Sequence, residues 1–415
     1  MPIKKFIVQN KDEASYRYKE CEEKKLPHSK KEKGDAKLKE NRPEIDKNSG
    51  NKTTTKIVNE FYRIGKVLGK GAFGKVNLAI HRESGELVAI KSINKTYLAD
   101  TTSNSKVMQE VTILKKIKHK NIICLRDYFE TDTHIIFVLE LCAGGDLLNY
   151  VRKRRKLNEN TAKVIFKQIL GGLHYCHTNK VLHRDIKLDN ILLDAKGQVK
   201  LGDFGVSKIV SEDEIITDQC GTPAYIAPEI LLDLGYKGFG VDVWSAGVVL
   251  YAMLYGTVPF KAHNMKDLHI SIITAKYSIK DTISELAIDL IRHILEPDPA
   301  KRYSIPQILK HPWFSDINEN IELFNDQEKE KILKEFTYYN TSKYNRNSDN
   351  LYFPKEEMNH SVTTDSFTEH HLSTQNSLIR NHSTKSIILA PFNSTISELD
   401  EETKKIIKEY MLDRK

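Results

Sequence analysis

From Phe61 onward, the stretch FYRIGKVLGKGAFGKVNLAIHRESGELVAIKSI alternates apolar with small or polar residues. That period of two, broken by turn residues at Glu83-Ser84-Gly85, predicts consecutive antiparallel strands. Val107, Val111, Leu114 and Ile117 then recur at helical spacing, and strand-like runs follow at Ile122–Phe129 and His134–Leu141. Beyond Gly144-Gly145 the pattern turns mainly helical, as in Thr161–His177 and Val241–Leu254, and the loops between carry most of the unusual polar residues. The expected fold class is α+β: a small antiparallel β-sheet lobe with one helix over 61–141, and a larger, mainly helical lobe over 142–314 that closes on His311-Pro-Trp-Phe314.

The two ends differ from this middle. Residues 1–60 are rich in Lys and Glu with few large apolar groups, a composition that cannot offset its ordering entropy, so disorder is expected. Residues 315–415 read as a largely disordered Asn/Ser/Thr-rich tail. Short helices are expected within it near 326–337, capped by Asn325 or Asp326 and carrying Ile332, Leu333 and Phe336, and near 398–412, started by Ser397 and Asp400. Each is expected to lie on the surface and fray rather than dock.

With 415 residues, 40% of them hydrophobic, the chain can bury one large two-lobed core. Its net charge of +8 comes from cations interleaved with acids, with no aromatic interleaving or recognition helix, so no nucleic-acid face is expected. Five cysteines without a C-x-x-C pair imply neither a zinc site nor a disulfide framework, and fit a reducing, cytoplasmic compartment. The first residues are too charged for a signal peptide, Pro2 excludes myristoylation, and no segment suits a bilayer, so no membrane association is expected.

Three constellations carry chemistry. In Gly69-Lys-Gly71-Ala-Phe-Gly74-Lys-Val76 the missing side chains let backbone N–H groups approach phosphate oxygens, and the strand after the glycines makes this a hairpin tip rather than a dinucleotide turn. Lys91, at the end of apolar Val88-Ala-Ile90, needs an anionic partner, and Glu110 on the following helix can supply it and hold the lysine beside α- and β-phosphates. The third is His183-Arg-Asp185-Ile-Lys187-Leu-Asp189-Asn190 followed by Asp203-Phe204-Gly205. Phosphoryl transfer needs two oxygen ligands for Mg²⁺, a carboxylate to receive a hydroxyl proton and a cation for the moving oxygens; Asn190, Asp203, Asp185 and Lys187 match those needs.

These motifs, with Ala227-Pro-Glu229 downstream, resemble the eukaryotic protein kinase domain of serine/threonine type, over about Tyr62 to Phe314. The resemblance implies a two-lobed kinase fold that takes ATP with Mg²⁺, or Mn²⁺ in its place. It assigns Leu68, Gly69, Gly71, Gly74, Val76, Ala89, Lys91, Leu192 and the segment Glu140 to Cys142 to the nucleotide, and Asp146 to its ribose. It also stacks Leu114, Leu125, His183 and Phe204 between the lobes, pairs Glu229 with Arg302, and sets Asp242 beneath the catalytic loop.

Lys187 and the segment Gly221-Thr222-Pro-Ala-Tyr225 resemble the serine/threonine form, with Thr222 facing the substrate. Asp146 and Asp189 stand where related enzymes hold an arginine three residues before the target, whereas Ala252 offers nothing for an arginine two before. Two readings of the switch stay open: Asp218 as a standing carboxylate for Arg184, or Thr217 phosphorylated by an upstream kinase. Ala143-Gly-Gly-Asp146-Leu and Cys220-Gly-Thr-Pro resemble the calcium/calmodulin-dependent and AMP-activated kinase group. The acidic stretch 315–331 is no calmodulin target, so calmodulin is not an expected partner, and protein substrates are. The alternative is a pseudokinase-like scaffold that binds partners through the same fold and its tails.

Overall fold

A computed structural model describes residues 58–340, apart from 71–73, 99–100, 212 and 233–234. Of the two compact units into which the chain divides, these residues all belong to the second. The first unit, residues 1–47, and the helix expected near 398–412 lie outside the described residues.

The small lobe is a five-stranded antiparallel sheet ordered β1-β2-β3-β5-β4, with β1 at Tyr62–Lys70, β2 at Gly74–His81, β3 at Leu87–Asn94, β4 at Leu125–Glu130 and β5 at His134–Glu140. The β2–β3 turn closes on Gly85 at a φ of +71°, a conformation glycine adopts without strain. Alternation along β3 sorts its side chains between two faces. Val88 and Ile90 join Val58, Tyr62, Ala79, Ile136 and Val138 in an outer cluster, while Ile93, three positions after Ile90, packs into the main core. Lys91 shares the inner face with Ile93 and meets helix α1, Thr101–Lys116.

The large lobe is built around α5, Gly240–Tyr255, in which every residue from Val241 to Leu254 is buried. A helix apolar on all sides must be surrounded, and α3, Glu159–Thr178, packs along it. Asp146, in the short strand β6 (Gly145–Asp146), caps α2, Leu147–Arg154, by accepting from the Asn149 amide at 2.7 Å. Strands β8 (Ile191–Leu193) and β9 (Val199–Leu201) complete a three-stranded sheet with β6, and β7 (Val181–Leu182) pairs with β10 (Lys208–Ile209). Helices α4 (Pro228–Leu231), α6 (Met265–Ile273), α7 (Glu285–Ile294) and α8 (Ile305–Leu309) cover the remainder. The Glu229 carboxylate takes two parallel bonds from Arg302, at 2.7 and 2.8 Å, and Arg302 is itself buried. No helix among the described residues is long and apolar enough to cross a membrane.

Ordered chain continues past Phe314. Leu323 and Phe324 are buried, and Asn325 and Glu328 form a reciprocal cap that starts α9, Asp326–Asn340. The helix expected to fray is instead docked: Ile332 packs on the main core and Glu328 meets Arg154 at 2.7 Å. Its anchors lie far away in the chain, so local periodicity does not show them.

Candidate active site

The site lies between the lobes, where β2, β3, α1 and the loops around β8 and β9 converge. Lys91 Nζ sits 2.8 Å from Glu110, which is 4% exposed, and 3.8 Å from Asp203. Burial opposes the Lys91 charge, but the two carboxylates outweigh it and hold the ammonium well above its ordinary range. Desolvation likewise opposes the Asp203 carboxylate; Lys91, His183 and Lys187 outweigh it and keep Asp203 below the usual carboxylate range. About half of its side chain (54%) stays exposed.

The loop after β7 brings a second group together. Asp185 accepts from Lys187 Nζ at 2.7 Å, from Asn190 Nδ2 at 2.7 Å and from the Thr222 hydroxyl at 3.0 Å, while Lys187 also donates to Thr222 at 2.9 Å. Asn190 spends its amide nitrogen on the Asp185 carboxylate and carbonyl, which leaves its oxygen as the atom for a ligand. One anionic oxygen from Asp203 and one neutral oxygen from Asn190 suit a hard divalent cation that keeps several other oxygen ligands. The donor set therefore fits Mg²⁺.

Two residues that position this group have left-handed backbone: Arg184 at a φ of +69° and Asp203 at +56°. Asp242 holds the first in place. Wholly buried, it accepts from the backbone amides of His183 at 2.9 Å and Arg184 at 2.8 Å and pairs with His177 at 2.9 Å. His183 and Phe204 lie tilted against each other with ring centres 4.7 Å apart, and Leu114 is buried in the same core, with Leu125 packed against it.

Around the cleft, Val76 lies opposite Lys91 and Ala89 opposite Leu139 in the sheet register, and Leu192 and Cys142 border the core partly buried. Leu68 is exposed. The two described glycines of the loop have different reasons to lack a side chain. A Cβ on Gly74 would lie 1.8 Å from the Ser92 carbonyl oxygen, so strand packing alone demands glycine there. A Cβ on Gly69 would meet nothing within 4 Å, so close approach of protein does not account for it. Gly71 lies outside the described residues.

Asp146 is engaged as a cap, with both oxygens accepting from Asn149. Asp189 has no cation at ion-pair distance among the described residues; burial, with Asp146 and Asp185 nearby, pushes its carboxyl up despite Lys187. Asp218 stands 3.4 Å from Arg184 and 3.8 Å from Lys208, and Thr217 beside it is exposed.

Sequence reasoning passed over Lys208, and also Lys200, whose ammonium lies 2.9 Å from Glu140 while that carboxylate accepts from the Cys124 amide at 2.8 Å. Neither lysine sits in a motif. Both act through strands that only folding brings alongside. A separate cluster, Asp289, His293 and His311, has ligand atoms close together, yet His311 Nδ1 accepts from the Trp313 amide and so leaves the proton on Nε2, facing Asp289. That pattern is a helix cap and an oriented histidine, not a metal-ready imidazole.

Residues 62–314 match the family profile of the protein kinase domain. The chain is 40% identical over 269 residues to an SNF1-related protein kinase catalytic subunit alpha, KIN12, of Arabidopsis thaliana, covering 64% of this chain and 54% of that protein. It is 41% identical over 256 residues to a carbon catabolite-derepressing protein kinase of Secale cereale, covering 61% and 51%, and 36% identical over 295 residues to CBL-interacting serine/threonine-protein kinase 26 of Arabidopsis thaliana, covering 70% and 65%. The chain thus spans about half the length of several of the curated relatives it matches.

Proposed function

The chain belongs to the protein kinase domain family, with SNF1-related serine/threonine kinases among its relatives, and from that premise we propose that it transfers the γ-phosphoryl group of Mg-ATP to serine and threonine hydroxyls of proteins. The observation that carries this reading is the bonded set Asp185–Lys187–Asn190–Thr222, facing Asp203 and the Lys91–Glu110 pair. Asp185 orients the acceptor hydroxyl and receives its proton, and Lys187, 2.7 Å away, neutralises charge on the moving oxygens. Lys91, kept cationic despite its burial by Glu110 and Asp203, holds the α- and β-phosphates. Asn190 and Asp203 would hold Mg²⁺, which when bound shields the phosphate charges. A scaffold without catalysis would have no use for this charge set, and free thiols at Cys124, Cys142, Cys176 and Cys220 suit a reducing, cytoplasmic setting.

The reading extends to substrate choice. Asp189, half-buried and without a cation of its own among the described residues, supports a preference for arginine three residues before the target, with Asp146 beside it as a second acidic group. The deciding experiment is phosphotransfer onto an arranged peptide library, with wild type and Asp203→Ala side by side. Asp203→Ala is expected to abolish transfer while nucleotide affinity falls less, and peptides with arginine at that place should outperform alanine controls. Equal activity of the two proteins would refute the kinase reading; indifference to the arginine would refute only the preference.

A further inference from the structure

Residues 315–336 lie beyond the part that matches the family, yet they follow a continuous path from the large lobe to the small one. Asp316 and Glu319 each sit 2.5 Å from a lysine of α3, Lys163 and Lys167. Leu323 then covers Gly197, where a Cβ would come within 2.9 Å of it. Phe324 fills the space left by Gly144, where a Cβ would stand 2.6 Å from its ring. Gly144 sits just after the lobe-joining segment Glu140 to Cys142, so the tail is fitted to the hinge itself. Tyr150 and Arg154 of α2 hold the Leu323 carbonyl, and Arg154 also holds Glu328.

From there α9 reaches the small lobe. Glu335 lies 2.6 Å from Lys66 Nζ, which also sits 5.3 Å above the Phe336 ring. Lys66 belongs to β1, three residues before Gly69, where the β1–β2 register is irregular on both sides of Val67. The tail therefore touches the small lobe at the least regular part of the strand that leads into the glycine loop. Its described side chains make no bond to Asp185, Lys187, Thr222 or Asp203.

We propose that residues 315–336 form a strap across the hinge, and that the Lys66 contact positions the glycine loop over the nucleotide and so sets the affinity for ATP. The proposal rests on the kinase reading. Lys66 and Glu335 are positioning residues: they act through β1 and touch no reacting atom.

The test uses the full chain with Glu335→Lys, Lys66→Glu and the double charge swap, reading KM for ATP, kcat and melting temperature. Both single reversals act at exposed positions and should leave melting within a degree or two. Each is expected to raise KM for ATP by about two- to fivefold with little change in kcat, as fits an exposed pair. The swap should restore KM toward wild type. Unchanged KM in active single variants, or a swap no better than either single, would overturn the strap while leaving the kinase reading intact. Loss of activity in wild type itself would instead strike at the kinase reading.

Discussion

Asp242 carries more of the site than its distance from the chemistry suggests. It is a wholly buried carboxylate, and its bonds to the amides of His183 and Arg184 stabilise a backbone turn in which Arg184 takes a positive φ. Burial pushes its carboxyl up, but His177 and those amides outweigh burial and hold it below the usual carboxylate range. Asp242→Asn would turn an amide N–H toward donors and is expected to destabilise the fold by about 2–4 kcal/mol in urea unfolding at pH 7. The sign of the pH dependence follows from a folded value lower than the unfolded one. The stabilisation is fully present above roughly pH 4 and is lost as pH falls through the folded value. The wild-type advantage over the variant should hold steady from neutral pH to about 5 and shrink below about 4. A gap that instead closed toward alkaline pH would contradict this account.

At the scale of elements, the activation segment from Asp203 to Glu229 is short of regular structure and is held by scattered bonds. Strand β10 pairs with β7, Ile216 exchanges backbone bonds with Tyr236, and Arg184 donates to the Val206 carbonyl at 2.6 Å. Asp218 adds a carboxylate between Arg184 and Lys208, and Glu214 shares Lys208 at 2.9 Å. That placement is what the standing-carboxylate reading requires, and on that reading basal activity does not depend on an added phosphate at Thr217. After phosphatase treatment, wild type and Thr217→Ala are expected to keep activity, while Asp218→Asn should lose about an order of magnitude in kcat, by analogy with losing one ordering ion-pair cluster. Inactive phosphatase-treated wild type would instead assign the switch to phosphorylated Thr217.

Across the whole molecule, one apolar core runs through both lobes, from Ile113 and Leu114 of α1 to Trp313 and Phe314, so the lobes are not independent folding units. A polar link between them is Glu140, where the chain leaves the small lobe. It binds the Cys124 amide on one side and Lys200 of β9 on the other, with side chains only 16% and 12% exposed for the acid and the lysine. Lys200 lies three residues before Asp203, so this pair ties the hinge to the strand that leads to the proposed metal ligand. Lys200→Ala leaves the Glu140 charge poorly compensated and is expected to lower stability by about 2 kcal/mol in chemical denaturation. A change within a few tenths of that scale's error would show that water compensates the acid fully.

The sequence by itself determined the kinds of element and pointed to the chemistry. Alternation over 61–93 and 134–141, and helical spacing at 107–117 and beyond 144, are local consequences of which face must be buried, and the residue types at 183–190 and 203–205 are those that phosphate and metal chemistry call for. Tertiary structure alone decided the rest, because each deciding contact joins residues far apart in the chain. Asp146 could be named as acidic, but not seen to spend both oxygens on Asn149. Gly74 and Gly144 read alike as loop glycines, yet a Ser92 carbonyl excludes a side chain at one and a Phe324 ring at the other. Residues 323–336 show only a capped amphipathic turn until Gly144, Gly197, Tyr150, Arg154 and Lys66 are assembled into the surface that receives them. Periodicity reports what a segment must hide; only the fold supplies the surface that hides it.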